Sequence, residues 1–320
     1  MDVPAAADVL AAAERLRPYV DTTPVLTSPA LDEAVGATVF AKAECLQRTG
    51  SFKLRGALNA MLQLPDDVRA RGVINVSAGN AALGSAAAAQ LLGAPLTVVM
   101  PETAVPEKLA AVRAMGARVV CDGVTNAAEA FARAHELIAS EGLHLLHPFD
   151  DADVIAGAGT ATLELLQAHP DLDAVVIPAS GGGVLAGGIL ATEAAGRTGT
   201  TVVAGVQPEG NDGFVRSLAA GEVQRVPQVR TIADGLTAPA PGVRNFAIVA
   251  SAKAPVVAVS DGAILDAMAL VARTLRVVVE PSGAAGIAGL PALGLAGRRV
   301  GVILTGSNVS WSLFAETLQK

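Results

Sequence analysis

The sequence predicts an α/β protein with parallel sheets, divided into two domains. Three observations carry this. Short runs rich in valine and isoleucine alternate with longer alanine-rich stretches of helical character, as strands joined by helical crossovers do. The valine runs are continuously apolar, which suits strands buried on both faces. The length of 320 residues exceeds what one hydrophobic core usually serves.

The elements follow in chain order. Residues 1–20 mix acidic and basic side chains into an apolar stretch and carry no basic leader, so they read as an amphipathic helix rather than a signal peptide. Strands are expected at 73–76 (VINV), 96–100 (LTVVM), 174–178 (AVVIP), 201–206 (TVVAGV), 255–259 (PVVAV) and 299–305 (RVGVILT). Segments 83–93 and 185–196 read as helices. The connections are more informative than the strands. After 73–76 comes Ser77-Ala78-Gly79-Asn80, after 174–178 comes Ala179-Ser180-Gly181-Gly182-Gly183, and Gly306-Ser307-Asn308 follows the last strand. Open parallel sheets bind ligands beyond the carboxyl ends of their strands, so these small polar loops are candidate ligand contacts.

Composition narrows the partners. A formal charge of −7, with basic residues scattered singly, offers no cationic surface for nucleic acid or membrane lipid. Mean hydropathy is high at +0.48, yet no 18-residue apolar stretch is free of charge or glycine. Cys45 and Cys121 are too few for a disulfide framework and badly spaced for zinc. A soluble cytoplasmic protein is expected.

Among groups that could carry chemistry, Ser180–Gly183 stand between a buried strand and a helix. There, backbone N–H groups and the helix dipole favour an anion, with a phosphate the natural guest. The bland alternative is a tight turn without ligand. Gly181, Gly183 and Ala186 also fit a loose dinucleotide pattern, although Gln207 stands where that pattern wants an acid and Glu209 lies two residues later. No lysine follows at the spacing of a nucleoside-triphosphate loop.

Only five lysines are present, at 42, 53, 108, 253 and 320. Ser51 reads as an N-cap, which puts Lys53 in the first helical turn, where the dipole disfavours a cation and so favours a nucleophilic amine. On these residues alone a solvated lysine is the better reading. Ser77 to Asn80 enter an alanine-rich helix whose free N–H groups could hold a carboxylate. The four histidines lack metal spacing, and Glu280, after an apolar run, is either a buried acid or a rim charge.

The residues 42–57, KAECLQRTGSFKLRGA, followed by Ser77–Asn80, Pro101 to Ala117, His147–Asp151, Gly157 to Thr160, Pro178 to Leu185, Thr231–Leu236, Glu280–Gly283 and Thr305–Asn308, resemble fold-type II pyridoxal-phosphate enzymes. The resemblance is to the threonine/serine dehydratase and serine racemase branch and runs nearly end to end. It implies the tryptophan synthase β-like architecture: a large domain (1–50 and 147–320), a small inserted domain (51–146), each with a parallel-dominated sheet, and pyridoxal 5′-phosphate in the cleft between them. A homodimer or homotetramer acting on a small amino acid is implied, without nucleic-acid or membrane partners. The Thr305 motif lies near the end of the sequence, as in short catabolic dehydratases without a regulatory domain.

The resemblance reverses the reading of Lys53, which falls on the Schiff-base lysine. Ser180, Gly181, Gly182 and Gly183 fall on the phosphate loop, with serine replacing its first glycine. Asn80 falls on the partner of the cofactor 3′-oxygen and Thr305 on the group facing the ring nitrogen. Phe52, Val184, Gly235 and Glu280 line the cofactor pocket. Ser77, Ala78, Gly79, Asn80 and Ala81 form the loop that receives the substrate carboxylate. The implied reaction is β-elimination of water from threonine, serine or 3-hydroxyaspartate, giving a keto acid and ammonia. Serine racemisation, β-replacement, an inactive binding homologue and a nicotinamide dehydrogenase are the alternatives.

Four positions depart from the family. Ala81 replaces a histidine and Ala158 a glutamine, while Gln207 and Gly213 stand where metal-activated relatives carry carboxylates, so no metal is expected. Racemases of the family carry a serine at the position of Ala78.

Overall fold

The computed structural model describes residues 2–104 and 106–319. Its strands are β1 (Val25–Leu26), β2 (Thr38–Lys42), β3 (Val73–Val76), β4 (Leu96–Val99), β5 (Arg118–Val120), β6 (His144–Leu145), β7 (Ala174–Pro178), β8 (Val202–Pro208), β9 (Val256–Val259) and β10 (Arg299–Ile303). They form two sheets. The larger has the order β1-β2-β10-β7-β8-β9, and the smaller, β5-β4-β3-β6, uses only residues between 73 and 145. Every pairing is parallel except that of β1 with β2. No helix among the described residues is long and apolar enough to cross a membrane.

The uninterrupted apolar strands have a direct cause. In the larger sheet Val39, Val176, Val300 and Val302 point into one core, while Phe40, Val175, Ile177 and Ile303 point into another on the opposite face. The smaller sheet repeats this, with Val73, Leu96 and Val98 on one side and Ile74, Val76 and Val99 on the other. Helices cover both faces, so alternate residues have no solvent to face. Aromatics are scarce, and small side chains let the helices approach closely.

Backbones also approach closely around the helix Lys53–Gln63, hereafter the lysine helix. It is wedged between the helices Asn80–Leu92 and Ala152–Ala168. A Cβ on Gly84 would lie 2.7 Å from the carbonyl carbon of Lys53, and one on Gly157 would lie 2.6 Å from the carbonyl oxygen of Arg55. Only glycine fits where backbone meets backbone.

The wedge is fixed by charge as well. Arg55, fully buried, donates Nε and Nη2 to the two oxygens of Glu44 at 2.8 Å each. Its Nη1 and Nη2 reach Glu164 at 2.6 and 2.9 Å, and Lys42 Nζ reaches the same carboxylate at 2.6 Å. Glu44 also accepts from Thr23 Oγ1 at 2.6 Å. Two cations and two carboxylates thus neutralise one another inside the protein, which a buried charge requires. This cluster joins β2, the lysine helix and the helix Ala152–Ala168.

Gly84→Ala should therefore destabilise the protein despite alanine's better helix propensity, by about 1–3 kcal/mol, the usual cost of overpacking a core. Urea unfolding measures this. Unchanged or increased stability would mean that the two helices can separate freely.

Candidate active site

The carboxyl ends of β3, β7 and β10 open onto one cleft of about 380 Å³, within the range of small-molecule sites. Residues 77–81 form one wall and 180–184 another, with Phe52, Lys53, Gly235, Glu280 and Thr305 completing it. The residues assigned to cofactor and substrate from the sequence all line this single space, whereas Ala179, Gly306, Ser307 and Asn308, expected there from the strand ends, do not.

Lys53 is the first residue of its helix. Ser51 is not the N-cap expected from the sequence. Its backbone bridges to Gly306, its buried hydroxyl has no partner, and Phe52 takes the cap position without a side-chain bond. The bridge to the end of β10 holds Ser51 in extended chain, one residue too early to cap. The solvated reading of Lys53 is likewise overturned: the residue is half-buried, and its Nζ donates to the Pro148 carbonyl at 2.9 Å. Burial lowers the ammonium pKa to about 8, while the Glu280 carboxylate pulls the other way.

Glu280 is a buried acid, not a rim charge. Burial raises its carboxyl pKa to about 7, opposed by a hydrogen bond from Asn80 Nδ2 at 2.6 Å. Asn80 Oδ1 accepts from Asn308 Nδ2 at 2.7 Å, so its orientation is set from both ends. Thr305, at the foot of β10, donates to the Ser282 carbonyl at 3.3 Å, and Ser282 Oγ accepts from the Gly235 N–H at 2.8 Å.

The glycine loop has the geometry of an anion cradle. Gly182 has φ +96°, and the helix Gly183–Ala194 begins directly after it. A Cβ on Gly181 would lie 2.5 Å from the Phe149 ring, and one on Gly183 would lie 2.7 Å from the Phe149 carbonyl oxygen. Among the described residues, the N–H groups of Gly181, Gly182, Gly183 and Val184 donate no hydrogen bond. Their carbonyl side, by contrast, is tied down. Gly181 O accepts from Gly242 N at 2.9 Å and from the buried Asn245 Nδ2 at 2.8 Å. A row of oriented, unsatisfied donors at a helix N-terminus fits a phosphate dianion. A second donor set lies opposite, where the N–H groups of Ala78, Asn80 and Ala81 open the helix Asn80–Leu92 and likewise lack partners among the described residues.

Sequence reasoning gave no role to the segment that joins these parts. Pro148 O holds Lys53, Phe149 O accepts from Asn245 Nδ2 at 3.0 Å, and the Asp150 carboxylate accepts from Val243 and Arg244 N–H groups at 3.0 Å each. His147 Nδ1 accepts from Asp150 N at 2.8 Å, and burial lowers the imidazole pKa, so the ring stays neutral and structural. The motif stood in the sequence, but its partners are about a hundred residues away. Asn245 went unnoticed because it lies on a helix far from any strand motif, and Asn211, which follows β8, was weighed only as a metal ligand.

The departures have clear settings. Ala81 lines the cleft, and Ala158 is buried beside a hollow of about 10 Å³ bordered by Phe52 and Lys53. Gln207 is buried and fully engaged: Oε1 accepts from Phe214 N at 3.0 Å and Val215 N at 3.3 Å, while Nε2 donates to Asn211 O. Asn211 Nδ2 in turn bonds Leu236 O at 2.7 Å and Ala238 O at 2.9 Å, tying this corner to the cleft wall. Cys45 is a buried thiol whose pKa is pushed up to about 12 by burial, which makes it inert.

A primary amine of lowered pKa facing a phosphate cradle, between two parallel sheets, defines enzymes that carry a phosphorylated aldehyde cofactor on lysine. Residues 16–306 match the sequence model of the family described as pyridoxal-phosphate dependent enzyme, and the chain belongs to that family. An L-threo-3-hydroxyaspartate ammonia-lyase of Saccharomyces cerevisiae is 41% identical over 98% of this chain and 96% of its own length. Among solved structures, a threonine deaminase from T.th. is 42% identical with a TM-score of 0.90, covering 96% of this chain and 99% of its own. Maize serine racemase is 33% identical with a TM-score of 0.93, covering 99% and 98%. The cofactor is pyridoxal phosphate.

Capture of the cofactor needs the neutral amine. Uptake of pyridoxal phosphate by the stripped chain should rise with pH through a midpoint near 8, well below that of an ordinary lysine. Glu280→Gln removes the carboxylate that favours the ammonium, so the midpoint should move to lower pH. Stopped-flow absorbance measures both. A midpoint near 10, or an upward shift in the variant, would contradict the geometry.

Proposed function

We propose that the chain eliminates water from a small L-3-hydroxy amino acid, releasing a 2-keto acid and ammonia, with Lys53 as cofactor anchor and base. The observation that carries this is the Lys53 amine, its pKa lowered to about 8, in a cleft walled on two sides by unpaired backbone donors. The relatives named hydroxyaspartate ammonia-lyase and threonine deaminase support the same chemistry.

In this reading the N–H groups of Gly181–Val184 bind the cofactor phosphate, with Ser180 beside them. Asn80 is the partner of the 3′-oxygen and Thr305 of the ring nitrogen, while Phe52, Gly235 and Glu280 wall the ring. The Ser77–Ala81 loop binds the substrate carboxylate through the dipole of the helix Asn80–Leu92. When bound, the cofactor supplies a conjugated ring that accepts the electron pair left at Cα. Lys53 Nζ, lying in hydrogen-bond reach of Pro148 O, is held in place to take the Cα proton, and its lowered pKa suits a base near neutral pH. Thr305 would turn its hydroxyl from the Ser282 carbonyl toward the ring nitrogen, offering a neutral donor in place of an acid.

Ala78 argues against racemisation. Inverting Cα requires a proton donor on the face opposite Lys53, and a methyl group donates none. Incubation with L-serine, followed by chiral chromatography and keto-acid assay, should yield pyruvate with D-serine formed at less than about a tenth of its rate, a difference of roughly 1.4 kcal/mol in barrier. D-serine forming as fast as pyruvate would contradict the assignment, and absence of keto acid from L-serine, L-threonine and L-threo-3-hydroxyaspartate alike would contradict the elimination reading itself.

A further inference from the structure

The cleft is poor in positive charge. Its charged lining side chains are Lys53, Asp234 and Glu280, one amine and two carboxylic acids. Just outside stands Lys108, on the helix Pro106–Ala114 that belongs to the side of the smaller sheet. Its Nζ reaches across the mouth of the cleft to Asp234 Oδ2 at 2.5 Å. Asp234 sits on a single helical turn, Asp234–Leu236, on the opposite side. The partners are unequally exposed: the Lys108 side chain is 21% exposed and that of Asp234 72%. The ammonium is therefore held at the cleft, while its partner is mostly in water.

A serine or threonine side chain asks nothing of such a cation. A substrate with a carboxylate on Cβ brings a second negative charge toward two acids already present, and an unpaired charge would be excluded. Lys53 is committed to the cofactor and the Cα proton. Among the described residues Lys108 is the remaining cation whose charge is felt inside, since it favours the ionised form of Glu280. Its present partner is easily given up, because exposed ion pairs contribute little and Asp234 returns to water on release. Ala81 and Ala238, which also line the cleft, present methyl groups that offer no competing bond.

We propose that Lys108 determines substrate class by receiving the second carboxylate of a 2-amino-3-hydroxy dicarboxylic acid, with Asp234 holding its place until substrate arrives. The inference rests on the elimination reading of the same cleft and assigns that reaction to 3-hydroxyaspartate ahead of serine and threonine. Exchange of one carboxylate for another conserves charge and bridges the two sides of the cleft through the substrate.

Steady-state kinetics on the holoenzyme with L-threo-3-hydroxyaspartate, L-serine and L-threonine test it. The unaltered protein should show kcat/KM at least tenfold higher for the dicarboxylate. Lys108→Met should lower the ratio of dicarboxylate to serine kcat/KM at least tenfold, mainly through KM. Asp234→Asn should move the dicarboxylate KM the opposite way, downward at least twofold, because it removes the competitor and keeps the cation. A loosened cleft could not give opposite signs in the two variants. Proportional loss on all substrates in Lys108→Met, a rise in KM in Asp234→Asn, or preference for serine or threonine in the unaltered protein would overturn the proposal. Succinate, which has both carboxylates but cannot react, separates this from the parent reading. Its inhibition or spectral dissociation constant should rise at least tenfold in Lys108→Met. If no hydroxy amino acid is consumed, the elimination reading fails, and equal succinate affinity in the two proteins would then overturn the role of Lys108.

Discussion

Two cations, Lys53 and Arg55, leave the first turn of one helix and are both removed from bulk water, but they are treated oppositely. Arg55 meets four carboxylate oxygens, two of Glu44 and two of Glu164. Burial works against its charge, yet these partners outweigh burial and hold the guanidinium more firmly protonated than usual. Lys53 receives one neutral carbonyl, that of Pro148, and loses its proton readily. One helix thus carries both the anchor that fixes its position and the amine that position makes reactive. Glycines at 84 and 157 allow the neighbouring helices to seat it backbone to backbone.

The rest of the cleft can be understood from that seat. The lysine amine shares its cleft with the carboxyl ends of β3, β7 and β10, and the connections after β3 and β7 are glycine-containing and rich in N–H groups without partners among the described residues. The anion-binding groups offered here are backbone more than side chain, so in the proposed reading a chain of negative net charge holds an anionic cofactor and an anionic substrate. Asn245 bonds the Gly181 carbonyl behind the glycine loop, and Asn211 bonds the Leu236 and Ala238 carbonyls behind the adjoining wall. Segment 147–150 fastens the lysine and the glycine loop to the same piece of chain.

Much of this was legible in the sequence, for identifiable reasons. Six valine-rich runs became β3, β4, β7, β8, β9 and β10 because burial on both faces leaves no polar alternation to blur them. Strand β2 was missed: its last residue, Lys42, looks like a surface residue but is buried against Glu164 and the Thr23 carbonyl. Strands β1 and β6 are two residues long and β5 three, too short for any period to register. The site residues were legible as motifs, but their energetics were not. A lysine beside a predicted N-cap serine reads as solvated, and only its burial in the folded cleft, against the pull of Glu280, reveals a lowered pKa. Lys108 and Asp234 are 126 residues apart, and no local pattern pairs them.

Every role assigned in the cleft turns on Lys53 being the residue that carries the cofactor. Reduction of the holoprotein with borohydride, digestion and mass spectrometry of the peptides locate the attachment directly. One phosphopyridoxyl label is expected, on the peptide containing Lys53. A label on Lys42, Lys108 or Lys253 with Lys53 unmodified would contradict it.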